Sequence, residues 1–187
     1  MSFTNSSIKA VSNGGLAWAS RGGAGPKTEP SDLRQIATAI SKLGGFKDYE
    51  GEAKVGFIQT STGHWLVTCS GAALGEALVK EIKGCVNGVV PEAQQAGWTV
   101  LDGVKTAQAF TDLVSKTKSE YLKGSSGFNL GCSEKKLLSY LLANSLKSEK
   151  GTLSVFDASG EKSKWVYPCE SCCYCIAYYY NTLFASK

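Results

Sequence analysis

Apolar residues recur along the chain in two rhythms, and these rhythms predict its elements. Leu33, Ile36, Ala37, Ile40 and Leu43 fall three or four apart, one stripe of a helix that Ser31 or Asp32 can cap and Gly44-Gly45 ends. Residues 54–60 and 64–70 read as two strands joined by the turn Ser61-Thr62-Gly63. Helical spacing returns at Leu74, Leu78 and Ile82, and again at Phe110, Leu113, Val114, Thr117 and Tyr121. Val89-Val90-Pro91 and Gly97-Trp98 break the stretch between them. Residues 132–147 predict a further helix, with Leu137, Leu138, Leu141, Leu142 and Leu146 on its apolar stripe. Leu153, Val155 and Phe156 then mark a strand, Ser159-Gly160 a turn, and Trp165-Val166-Tyr167 a run into a last helix carrying Ile176, Tyr179 and Leu183.

Residues 1–30 read as an appendage. Ile8 to Val11 and Leu16 to Ser20 flank Asn13-Gly14-Gly15 as a small hairpin, and Arg21 to Pro30 is a Gly- and Pro-rich linker. Residues 31–187 then form one domain with a helical insertion at about 71–127. With 187 residues and 43% apolar composition, the chain can bury a sizeable core. No run approaches the ~20 apolar residues that span a membrane, and Met1 to Ser7 lacks the pattern of a secretory signal. Synthesis in a reducing cytosol is the expectation, and it suits thiol chemistry. The net charge is +4, carried by eighteen lysines against Arg21 and Arg34. Lys116, Lys118, Lys123, Lys135, Lys136, Lys147, Lys150, Lys162 and Lys164 crowd the C-terminal half. Such a density suits phosphate contacts and a solvated surface equally.

The candidate chemistry lies in two short motifs. Cys132-Ser133-Glu134 opens the helix over 132–147, and Pro168-Cys169-Glu170-Ser171-Cys172 opens the last one. Pro168 suits the first turn, where its missing N–H costs nothing. Cys169 and Cys172, three apart, share one helix face and can grip one ion. Cys132 adds a third thiolate, so one zinc has three ligands, an open position, and a carboxylate, Glu134, two residues from the first ligand. Two helix N-termini converging there offset part of the negative charge. Two other readings stand beside this one. A fourth thiolate from Cys173 or Cys175 would close the site into a structural zinc, and a disulfide framework would have to accommodate an odd count of seven cysteines. Cys69 and Cys85 read as small buried apolar residues. His64, the sole histidine, sits beside a turn far from both motifs and reads as a surface or half-buried residue rather than as a ligand.

C-x-E followed by P-C-x-x-C resembles the zinc-dependent cytidine deaminase-like superfamily. The run Cys132-Ser133-Glu134-Lys135-Lys136 is similar to forms found in bacterial polymorphic-toxin nucleic-acid deaminases and plant organelle RNA-editing deaminases. The resemblance covers, with gaps, about residues 31–187. It implies an α/β, three-layer cytidine deaminase-like fold, a mixed sheet with helices on both faces. It implies one zinc on Cys132, Cys169 and Cys172, with Glu134 as the proton shuttle. The implied activity is hydrolytic conversion of cytosine to uracil in DNA, with RNA as the second polymer. A free cytidine or deoxycytidine deaminase and a non-catalytic zinc-stabilised binding module are the alternatives. Trp165 and Tyr167 are candidates for the pocket wall, and Ser133, Lys135, Lys123 and Phe128 for further substrate contacts. Vertebrate-type DNA deaminases place a Trp three residues before the first Cys of P-C-x-x-C; here Val166 holds that place, so that pocket Trp is not carried over. The toxin branch further implies a monomer with DNA as partner, no membrane, delivery to a target cell, and an immunity protein. Most of the superfamily continues with strands after the second motif helix. The sheet is therefore expected to be completed by N-terminal strands, or to be that of a minimal branch.

Overall fold

The computed structural model describes residues 32–43, 54–70, 76–101, 111–113, 115, 131–149, 152–157, 164–166, 168 and 170–179. The hairpin and linker expected over 1–30 lie outside them. Helix α1 (Asp32–Ile40) buries Leu33, Ile36, Ala37 and Ile40, the stripe that its spacing predicts. Strands β1 (Lys54–Gln59) and β2 (Trp65–Cys69) pair antiparallel, with Val55 opposite Cys69 and Gln59 opposite Trp65. Gly63 closes the turn between them at a φ of 86°, which a side chain would resist.

Helix α2 (Glu76–Val89), the single turn α3 (Glu92–Gln95) and strand β3 (Trp98–Val100) follow. Strand β3 begins at the Gly97-Trp98 break expected within the helical insertion at about 71–127, a break that the sequence did not mark as a strand. Trp98, Thr99 and Val100 favour a strand, but three residues are too few to display a period. Helix α4 (Ser133–Ala143), strands β4 (Ser154–Asp157) and β5 (Lys164–Val166), and helix α5 (Glu170–Tyr178) complete the described order. Helix α4 ends four residues before the expected boundary at 147. Ser145 turns left-handed at a φ of 53°, and the Leu146 N–H bonds back to the Leu141 carbonyl at 2.8 Å, which closes the helix end.

The sheet runs β3-β2-β1-β4-β5. The β2–β3 pair is parallel and the others are antiparallel, so the fold is α/β with a five-stranded mixed sheet. Alternation along the strands divides the core between the two faces. Val55 and Phe57 of β1 with Trp65, Val67 and Cys69 of β2 pack against α1 and α2 residues such as Ile36, Ile40, Ile82 and Val86. Ile58 and Leu66 point the other way, into a second cluster with Leu137, Leu138 and Leu141 of α4 and Cys175 and Ile176 of α5. Cys132, which caps α4, and Cys172, on α5, therefore belong to helices of one face. Among the described residues no helix is long and apolar enough to cross a membrane.

Candidate metal centre

Helix α4 starts against the middle of the sheet because β1 carries no side chain there. A Cβ on Gly56 would lie 2.7 Å from both Cβ and Oγ of Ser133 and 3.2 Å from Cδ1 of Leu137. A glycine inside a strand often marks such a close approach. Cys132 is the N-cap of α4, in an extended conformation at φ −69° and ψ 139°, and its side chain makes no cap bond to the helix. Helix α5 packs against α4 and carries Cys172. The sulfurs of Cys132 and Cys172 and a carboxylate oxygen of Glu134 all lie within 4.8 Å of one another. Thiolate and carboxylate are donors that a divalent transition metal accepts, so this group can hold a metal ion.

Ser133 and Glu134 are buried. The Ser133 hydroxyl donates to Oε2 of Glu134 at 2.9 Å, which fixes the orientation of the carboxylate. Lys135 is fully buried, and its carbonyl accepts from the Ser139 hydroxyl at 2.6 Å. Lys136 is buried as well, and its Nζ donates to the Cys69 carbonyl at 2.8 Å. Burial pushes the Lys136 ammonium below the usual lysine range, while the Cys69 and Cys132 sulfurs oppose that shift. Burial also pushes the Cys69 thiol up to about 12, against the pull of Lys136 and with a smaller push from Cys85. Cys69 is accordingly neutral at pH 7, a core residue as expected; Cys85 is half-buried.

The structure brings together Cys132, Ser133, Glu134 and Cys172. Cys169, Tyr167, Lys123 and Phe128 lie outside the described residues. Lys135 does not reach the surface, which removes it as a contact for a phosphate, and Lys136 is enclosed in the same way. Trp165 is not part of the group: it packs into the core of the opposite face, 6.1 Å from the Phe57 ring and 5.1 Å from the Phe156 ring. Its buried Nε1 finds no acceptor among the described residues. His64 is half-buried and shares a 2.7 Å hydrogen bond with Thr99 Oγ1, tying the start of β2 to β3. Tyr179 is core, its hydroxyl donating to the Leu146 carbonyl at 3.3 Å. A groove of about 410 Å³ opens at the β3 edge between Val79, Lys83, Val86, Trp98 and Tyr140, and none of the three metal-donor residues lines it.

Two residues of the site escape a reading of motifs. Gly56 could have been found from its place inside an apolar strand. The buried setting of Lys136 has no signal in the sequence. No protein-family model, no curated protein and no solved structure matches the chain.

Proposed function

We propose that the chain is a zinc-dependent hydrolytic deaminase that converts cytosine to uracil in DNA, built on a three-layer cytidine deaminase-like fold. The observation that carries this reading is a buried carboxylate, Glu134, gathered within 4.8 Å of two cysteine sulfurs from two different helices. A carboxylate beside thiolates is electrostatically costly, and a purely structural zinc has no need of it. Cys132, Cys172 and, by its place in the second motif, Cys169 would hold the zinc. When bound, the ion supplies a Lewis acid that makes water a competent nucleophile near neutral pH.

The remaining chemistry belongs to the side chains. Glu134 takes one proton from the attacking water and passes it to the ring nitrogen beside the reacting carbon; it then takes the remaining hydroxyl proton from that carbon and delivers it to the exocyclic amine, so that the C–N bond breaks, ammonia leaves and the carbonyl forms. Ser133 holds the carboxylate in one orientation through this cycle. The choice of polymer over nucleoside rests on the lysines outside the first turn of α4, because Lys135 and Lys136 are enclosed. Lys116, Lys118 and Lys123 are the residues that would meet phosphates.

The test is conversion of cytosine by the zinc-loaded protein on single-stranded DNA, duplex DNA, RNA and free cytidine, read by sequencing and by ammonia release. DNA should be the preferred substrate by specificity constant. Glu134→Gln should keep its zinc and lose about 10³-fold in turnover. Absence of conversion by the wild-type protein, or near wild-type turnover in Glu134→Gln, would overturn the reading. Preference for free cytidine would retain the chemistry and replace the substrate.

A further inference from the structure

The first turn of α4 buries a cation beside a proposed metal ligand. Lys136 follows Cys132 by one helical turn, and its backbone N–H bonds to the Cys132 carbonyl at 3.4 Å. Only 5% of the residue is exposed, and its Nζ donates to the carbonyl of Cys69, the last residue of β2. One bond to a neutral carbonyl is a poor exchange for the hydration of an ammonium, so a buried lysine calls for a negative partner. The donor group of Cys132, Glu134 and Cys172 begins one helical turn before Lys136 on the same helix, and it supplies that negative partner.

Three thiolates on a divalent ion leave one net negative charge and the Glu134 carboxylate beside them adds a second, of which a single ammonium offsets part. We propose that Lys136 is a positioning residue of the metal centre: anchored to the end of β2, its ammonium offsets the charge of the thiolate cluster and fixes the first turn of α4 where Cys132 meets Cys172. This inference rests on the zinc reading above. It also takes Lys136 out of the set of lysines available to a nucleic acid.

The experiment compares the full chain with Lys136→Met and Lys136→Arg. Each is prepared without zinc, melted, and titrated with zinc against a chromophoric chelator. Methionine keeps the length of the stem and removes the charge, so zinc affinity should fall about 10- to 100-fold, the usual range for a group supporting metal ligands. The zinc-free Lys136→Met protein should melt no lower than wild type, since a buried charge has been removed. Lys136→Arg should return the affinity to within a few-fold. A residue that merely filled space would give the opposite pattern, a lower melting temperature of the zinc-free protein with unchanged affinity, and that result overturns the proposal. If Lys136→Met does not fold, Lys136→Gln, which can still donate to the Cys69 carbonyl without a charge, replaces it, and wild-type affinity there is equally fatal. A wild-type protein that binds no zinc brings down the metal reading and this proposal with it. Tight wild-type binding matched by Lys136→Met sinks the proposal alone.

Discussion

Cys172, Cys173 and Cys175 share one helix and meet three different environments. Cys172 faces Cys132 and Glu134, the Cys173 sulfur lies 3.5 Å from the Pro168 carbonyl, and Cys175 is packed among Ile58, Leu137 and Tyr179. Substitution by alanine should separate them. Cys172→Ala should lose zinc, measured as metal per chain, and Cys173→Ala should retain it. Cys175→Ala should also keep the metal but lose about 1 kcal/mol of stability in a denaturant melt, the cost of thinning a packed core. Zinc loss in Cys173→Ala with retention in Cys172→Ala would show that the ligands are wrongly assigned. At this scale two of the three cysteines expected as ligands, Cys132 and Cys172, come together with Glu134 as their motifs suggest, and Cys169 lies outside the described residues. The place of Trp165 was not legible in the sequence. Which face a strand residue points to depends on its register, and a shift of one residue exchanges the faces. Here Trp165 lies opposite Phe156 in the β4–β5 pair and follows it into the core of the other face.

Helix α4 and strand β1 work as one unit whose spacing Gly56 sets. Gly56→Ala forces Ser133 to move, since a Cβ cannot sit 2.7 Å from two of its atoms. The displacement would tilt Glu134, which Ser133 orients. The variant should lose about 1–3 kcal/mol in a urea melt, the range for overpacking a tight contact. Cytosine conversion should fall with it although no proton-transferring group has changed. Unchanged stability would mean that α4 yields without cost and that the approach of helix to strand does not set the site. Most elements could be read from periodicity: α1 buries the expected residues, and β1 and β2 fall within the expected strands. The exceptions have local causes. Strand β3 is too short to show a rhythm, and α4 stops where Ser145 adopts a left-handed backbone, a conformation less characteristic of serine than of glycine.

Taken whole, the molecule places the group that can hold a metal ion on two helices of one face, α4 and α5, packed on each other and, through α4, on the central strands. An ion bound there would act as a clasp between chain segments some forty residues apart. Chelation should therefore lower the melting temperature of the wild-type protein, and readdition of zinc should restore it. An ion present at about 100 times its dissociation constant would contribute about 2.7 kcal/mol. In Cys132→Ala and Cys172→Ala the chelator should have no effect. A chelator effect of wild-type size in those variants would assign the clasp to another group of residues.

The position of β1 has a consequence for biosynthesis. It lies between β2, which pairs Val55 with Cys69, and β4, which pairs Val55 with Phe156. The first partner leaves the ribosome almost at once; the second follows about a hundred residues later. At ~5–20 residues per second that is a delay of roughly 5–20 s. Through that interval the nascent hairpin presents a bare edge of apolar strand, the kind of template on which chains mispair. Arrival of β4 seals it, and only then does the helix carrying Cys172 emerge. An ion held by Cys132, Glu134 and Cys172 would therefore enter only after β4 has paired with β1, and a chain stalled before β4 would lack both that site and the cover of its strand edge.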